Sequence, residues 1–182
     1  MFSISPEFVA FLRNAKLATY AAQGDDASVP PLLPDARQLE YALGSYLYRD
    51  IYFGMLGFAG QEVVYLEGRA VWSMSYAGGL LPGVDKPDAA QIYRALRAAL
   101  SAAPADLPLR GPDSFEFAGL HYSCTPTGTL DRFHGYESIS RQDRLRYDLH
   151  FAGGVVASAC RCLRTKSQPL QFGDTSAPYQ SD

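Results

Sequence analysis

Apolar and polar residues alternate with a period of two along most of this chain, and the spacing turns helical in two places. Ser5 suits a helix cap, Pro6 the first helical position and Glu7 the positive end of a helix dipole. Phe8, Phe11, Leu12, Ala15 and Thr19 then recur at helical spacing, which predicts a first helix ending at Gly24. Residues 23–34, rich in Pro, Asp and Ser, read as a loop. The runs 39–48, 58–65 and 70–76 are aromatic and β-branched and are separated by Gly-bearing turns, which predicts a three-stranded antiparallel meander. Pro87 opens a second helix over 88–102, with Ile92, Leu96, Ala99 and Leu100 on one side. A second meander is predicted at 115–123, 133–140 and 145–151, followed by a short strand within 155–163 and a flexible tail over 164–182.

The two meanders repeat each other. FAGQEVVYLEGRAVWSMSYAGGL at 58–80 aligns without a gap with FHGYESISRQDRLRYDLHFAGGV at 133–155, an offset of 75 residues. Identical positions include Phe58/Phe133, Gly60/Gly135, Glu62/Glu137, Arg69/Arg144 and the Ala-Gly-Gly triplets at 77–79 and 152–154. With one residue dropped, LEYALGSYLY at 39–48 also matches FEFAGLHYSC at 115–124. The expected fold is therefore α+β: internally duplicated α-β-β-β units, one or more antiparallel sheets with two helices, and a pseudo-two-fold axis. It fills a single domain over 1–163, with halves at about 5–80 and 87–155.

Alternation along a strand puts Phe58, Gly60, Glu62 and Val64 on one face, and likewise Phe133, Gly135, Glu137 and Ile139. Glu62 and Glu137 thus point with the apolar set. A carboxylate there is costly unless it is paired, protonated or met by a cation. Two readings follow. Either the glutamates anchor a ligand in a pocket near the pseudo-dyad, walled by Tyr48, Trp72, Tyr76 and Tyr147, or each is held by backbone NH groups or by an arginine such as Arg49, Arg69, Arg110 or Arg144. Arg110-Gly111-Pro112 is expected to shape a turn, its guanidinium free to clamp an anion or to meet Glu137. Gly78-Gly79 and Gly153-Gly154 are expected to turn the chain after the last strand of each half.

No catalytic residue, metal or cofactor is predicted. His121, His134 and His150 lack metal-ligand spacing, Cys160 and Cys162 have no second pair, and no nucleophile elbow occurs. With 182 residues, 47% hydrophobic and 19% charged, the chain is long and apolar enough for one true core. A net charge of −3 without a Lys/Arg stripe argues against nucleic acid as a partner. No apolar run approaches the ~20 residues of a membrane span, and an odd count of three cysteines fits reduced thiols, so a cytoplasmic location is expected.

FLRNAKLATYA at 11–21, YRDIYFG at 48–54, FAGQEVVY at 58–65, VWSMSYAGG at 71–79 and RGP at 110–112 together resemble a bacterial family catalogued only as a domain of unknown function. Members are sometimes fused behind a helix-turn-helix domain of the XRE type, for which this chain has no room before its first strand. The resemblance implies no activity and no catalytic residues. If the fused members are one-component regulators, this domain would be their sensing half, standing alone here. The favoured expectation is a non-catalytic, sensor-like small-molecule-binding domain. A carboxylate-pair hydrolase or isomerase is the alternative, as is an interaction module of antitoxin or immunity type, with a homodimer or a protein partner.

Overall fold

The computed structural model describes residues 2–21 and 28–156. Helix α1, Pro6–Lys16, begins as its sequence dictates, with the Ser5 hydroxyl accepting from the Phe8 amide at 3.2 Å and Pro6 in the first turn. It does not run on regularly to Gly24. Leu17–Ala21 form one π-helical turn, kinked at Thr19 (φ −105°, ψ −116°), whose buried hydroxyl bonds back to the Ala15 carbonyl at 2.8 Å. That back-bond competes with the helix ladder and ends it early. Helix α2, Lys86–Ser101, starts two residues before its expected position because Asp85 caps it, accepting from the Asp88 amide at 2.9 Å.

Nine strands among the described residues make one antiparallel sheet. They are β1 (Ser28–Val29), β2 (Arg37–Leu43), β3 (Tyr46–Gly54), β4 (Gly57–Leu66), β5 (Arg69–Leu80), β6 (Ser114–Phe117), β7 (Leu120–Thr129), β8 (Arg132–Arg141) and β9 (Arg144–Val155), in the spatial order β1-β2-β3-β4-β5-β9-β8-β7-β6. The chain is thus α+β, with two meanders that meet where β5 pairs β9 and Tyr76 lies opposite Phe151. Both helices lie on one face of the sheet, α1 against β2 and β3, and α2 against β6 and β7.

Each meander has four strands, not three. The predicted strand over 39–48 is a hairpin folded at Gly44 (φ +60°), and the one over 115–123 folds at Ala118 (φ +49°) and Gly119 (φ +76°). A two-residue turn shifts the alternation by only one step and apolar residues resume at once beyond it, so the short phase change hides the reversal. The glycine pairs are also corrected: Gly78-Gly79 and Gly153-Gly154 lie inside β5 and β9, not in turns. Their role is close approach of strands. A Cβ on Gly78 would sit 2.2 Å from the Asp148 carbonyl oxygen, and one on Gly153 2.2 Å from that of Ser73. The predicted strand within 155–163 is described only to Val156, and the tail from 164 lies outside the described residues.

The face beneath the helices carries the core, which includes Phe8, Leu12, Leu39, Trp72, Ile92, Leu96 and Leu149. Its acidic residues stand in two rows. Leu39, Asp50, Glu62 and Met74 lie side by side across β2 to β5, and Leu149, Glu137 and Cys124 across β9 to β7. No helix among the described residues is long and apolar enough to cross a membrane.

Gly78→Ala should therefore lower stability by about 2–3 kcal/mol, because the methyl group meets fixed backbone. Gly44→Ala, with nothing within 4 Å but φ at +60°, should cost only about 1 kcal/mol. Urea unfolding of the two variants beside wild type checks the difference.

Candidate functional site

Glu137 is sealed. It is 0% exposed and accepts four hydrogen bonds: from Arg110 Nε at 2.9 Å and Nη2 at 2.7 Å, from the Tyr122 phenol at 2.7 Å and from the Tyr147 phenol at 2.9 Å. A forked guanidinium and two phenols fill the lone pairs of a carboxylate, and this geometry makes its burial tolerable. Burial works against a charged Arg110, yet Glu137 beside it outweighs that and holds the guanidinium ionised. The same surroundings push the Cys124 thiol up to about 12, through burial first and the Glu137 charge second, so it is inert as a nucleophile.

Glu62 occupies a different setting. It is 3% exposed, and its Oε2 lies 2.6 Å from Lys16 Nζ, in an approach too far off line for a full hydrogen bond. Lys16 is delivered by the last turn of α1 and spends one proton on the Leu109 carbonyl at 2.7 Å. Burial lowers the Lys16 pKa, against the pull of Glu62. Directly across the strand pair from Glu62 stands Asp50, 5% exposed, whose Oδ1 accepts from the Tyr76 phenol at 2.6 Å. Burial, and then the Glu62 charge, raise the Asp50 pKa to about 7. Gly60 makes the Tyr76 contact possible: a Cβ there would lie 2.4 Å from the Tyr76 oxygen, so only glycine lets the ring lie across β4.

These groups open onto a cavity of about 140 Å³, roomy enough for several waters or a small organic molecule. Lys16, Asp50 and Glu62 form its polar floor. Tyr48, Tyr52, Phe58, Tyr76, Leu100 and Leu109 make much of its wall, and Thr19, Gly54, Met55, Tyr93, Arg97, Ala103 and Arg110 complete the lining. The Arg110 guanidinium also lies 6.0 Å from the centre of the Tyr76 ring. Tyr48 and Tyr76 have their pKa values raised well above the ordinary phenol value by burial, so they are neutral hydrogen-bonding walls at physiological pH.

Of the residues singled out by sequence, the structure gathers Glu62, Tyr48, Tyr76 and Arg110 at this cavity. Glu137 and Tyr147 sit in the sealed site behind Arg110, and Trp72 is in the core, donating its indole NH to the Leu130 carbonyl at 3.0 Å and stacked on Phe133. Asp50 and Lys16 escaped the sequence reading. Asp50 had a signal, since it alternates with Tyr48 and Tyr52 as Glu62 alternates with apolar neighbours. Lys16 had none, because a lysine in the last turn of a helix suits the dipole equally well in solvent. Among the described residues, no group of three or more His, Cys, Asp and Glu is placed to hold a metal ion. Cys160 and Cys162 lie outside the described residues.

Fold and site together define an α+β domain with a helix-covered antiparallel sheet and a carboxylate-floored, tyrosine-walled cavity beside a buried ion pair. The chain belongs to the family described as Domain of unknown function (DUF5680), whose profile matches residues 50–156. No curated protein matches the chain, and no solved structure matches it.

Two outcomes are expected from the acidic residues. Glu137→Gln strands a buried guanidinium and should cost about 3–5 kcal/mol, whereas Glu62→Gln, at the edge of an open cavity, should cost clearly less; denaturant unfolding separates them. Asp50 has a folded pKa above its unfolded value, so the folded state binds the extra proton between about 4 and about 7. Its contribution to stability therefore falls as pH rises through that window and is flat above it. Asp50→Asn should remove the decline, and it should unfold at a higher temperature than wild type at pH 8 but not at pH 4.

Proposed function

We propose that this chain is a non-catalytic, sensor-like small-molecule-binding domain, with the tyrosine-lined cavity as its site and Glu62 as a polar anchor. The observation that carries the reading is the contrast between the two glutamates. Glu137 accepts four hydrogen bonds, as a structural carboxylate should, while Glu62 Oε2 accepts none and Glu62 and Asp50 line an open, mostly apolar hollow. Arg110 belongs to the structural side of this division.

The same reading treats the chain as a duplicated unit over 1–163, with halves at about 5–80 and 87–155 related by a pseudo-two-fold through the Tyr76–Phe151 pair. Matching strand order on either side of β5·β9 supports it, as do bulges at the aligned positions 64/65 and 139/140. If fused relatives in the family carry an XRE-type helix-turn-helix, this domain is the part that reports ligand to it. A cytoplasmic site of action and a bacterial source fit that role.

One observation favours a second reading. Asp50 and Glu62 form a carboxyl pair in which one member titrates near pH 7, the property an acid–base hydrolase or isomerase needs. Among the described residues lining the cavity the one aliphatic hydroxyl, that of Thr19, is held by the Ala15 carbonyl, so binding ranks first.

A thermal-shift screen of a metabolite library against wild type, Glu62→Gln and Ala103→Trp tests the proposal. The Trp variant fills the cavity from its wall, where Ala103 is half-buried. The expected result is a compound that raises the melting temperature of wild type by several degrees and acts on neither variant. Compounds that stabilise wild type and Ala103→Trp equally, or a library without effect on any form, would overturn it and shift attention to a protein partner or homodimer.

A further inference from the structure

Taking the cavity as a ligand site, we propose that its ligand is a small organic molecule bearing one ammonium group, which seats against Asp50 and Glu62 and displaces a proton from Asp50.

The argument is a charge count among buried groups. Asp50, Glu62 and Glu137 are 5%, 3% and 0% exposed, and among the described residues two cations, Lys16 and Arg110, serve all three. Arg110 is committed to both oxygens of Glu137, and Lys16 to Glu62 and the Leu109 carbonyl. Asp50 is left with a phenol, which donates a hydrogen bond but no charge. The groups facing it are Lys16 from α1, Tyr48 on its own strand, Glu62 from β4, Tyr76 from β5 and Arg110 from the loop after α2. The cluster is therefore one positive charge short. Without ligand the cheapest remedy is a proton, and Asp50 takes it with a pKa of about 7.

An ammonium supplies the same charge with more bonds. It has three protons to give, and the Asp50 carboxyl and the Glu62 carboxylate both line the cavity it would enter. The exchange balances: the protonated amine enters with its charge, Asp50 releases its carboxyl proton to solvent, and the net charge of the cavity is unchanged. No covalent bond to carbon forms or breaks. The walls favour an aromatic or alkyl body behind the ammonium, since Phe58, Leu100, Leu109 and four tyrosines line the cavity. Arg97, half-buried in the wall and without an ion-pair partner among the described residues, disfavours a second ammonium and tolerates a carboxylate on the ligand.

Isothermal titration of the whole chain with phenethylamine and with its uncharged isostere 2-phenylethanol, between pH 5.5 and 8 in two buffers of different ionisation heat, tests this. Phenethylamine affinity should rise about tenfold per pH unit below pH ~7 and level off above it, with nearly one proton released per binding event at pH 6. 2-Phenylethanol should bind at least about tenfold more weakly at pH 8, without proton release. Asp50→Asn should lose the pH slope and the released proton while still binding 2-phenylethanol, which shows the cavity intact. Equal binding of both probes with no proton released would overturn the ammonium exchange and leave the ligand site standing. Failure of both probes to bind at millimolar concentration would count against both.

Discussion

Two cations shared among three buried carboxyls hold this molecule in register. Lys16 and Arg110 do so from opposite ends of the chain's helical cover, and Leu109-Arg110 is the joint: the Leu109 carbonyl takes a proton from Lys16, and the next side chain grips Glu137. Through that joint α1 is tied to β4 on one side of the sheet and β8 on the other. Buried ion pairs of this kind add little net stability over an apolar core, but losing one member is expensive, so they fix which packing is allowed. The cluster therefore dictates where the end of α1 sits, and the space left beside that end is the cavity.

The two acidic rows show how small changes produce unlike sites. Glu62 lies opposite Asp50 and Met74, and Glu137 opposite Cys124 and Leu149. Two residues before Leu149 comes Tyr147, whose phenol bonds Glu137; two residues before Met74 comes Trp72, whose indole NH turns instead to the Leu130 carbonyl. Glu62 loses a donor through that exchange and gains a second carboxyl as its neighbour where Glu137 has a thiol. One site closes on its charges; the other is left short of them.

Much of this was legible in the chain. Period-two alternation placed Glu62 and Glu137 on the apolar face, and both are there. Ser5-Pro6 marked the start of α1, and the aromatic runs marked the strands. The hairpins at Gly44 and at Ala118-Gly119 were not legible, because a two-residue turn leaves only a one-step phase change between two apolar runs. The glycine pairs read as turns because positive φ and close approach use the same residue, and only the pairing of β5 with β9 tells them apart. Asp50 and Lys16 matter through contacts between elements far apart in sequence, and no local spacing encodes those.

The pairing of β5 with β9 carries a consequence for how the chain is made. The twelve residues of β5, Arg69–Leu80, form the inner edge of the first meander, and their partner in β9 begins only at Arg144. During synthesis β2 to β5 emerge together while that long edge, rich in small residues and lacking charge between Arg69 and Leu80, has nothing to pair with. An unpaired edge is a template for any other extended segment, including the same edge of a neighbouring nascent chain. The interval between emergence of β5 and arrival of β9, residues 81–155, is thus one in which this edge stands open to such pairing.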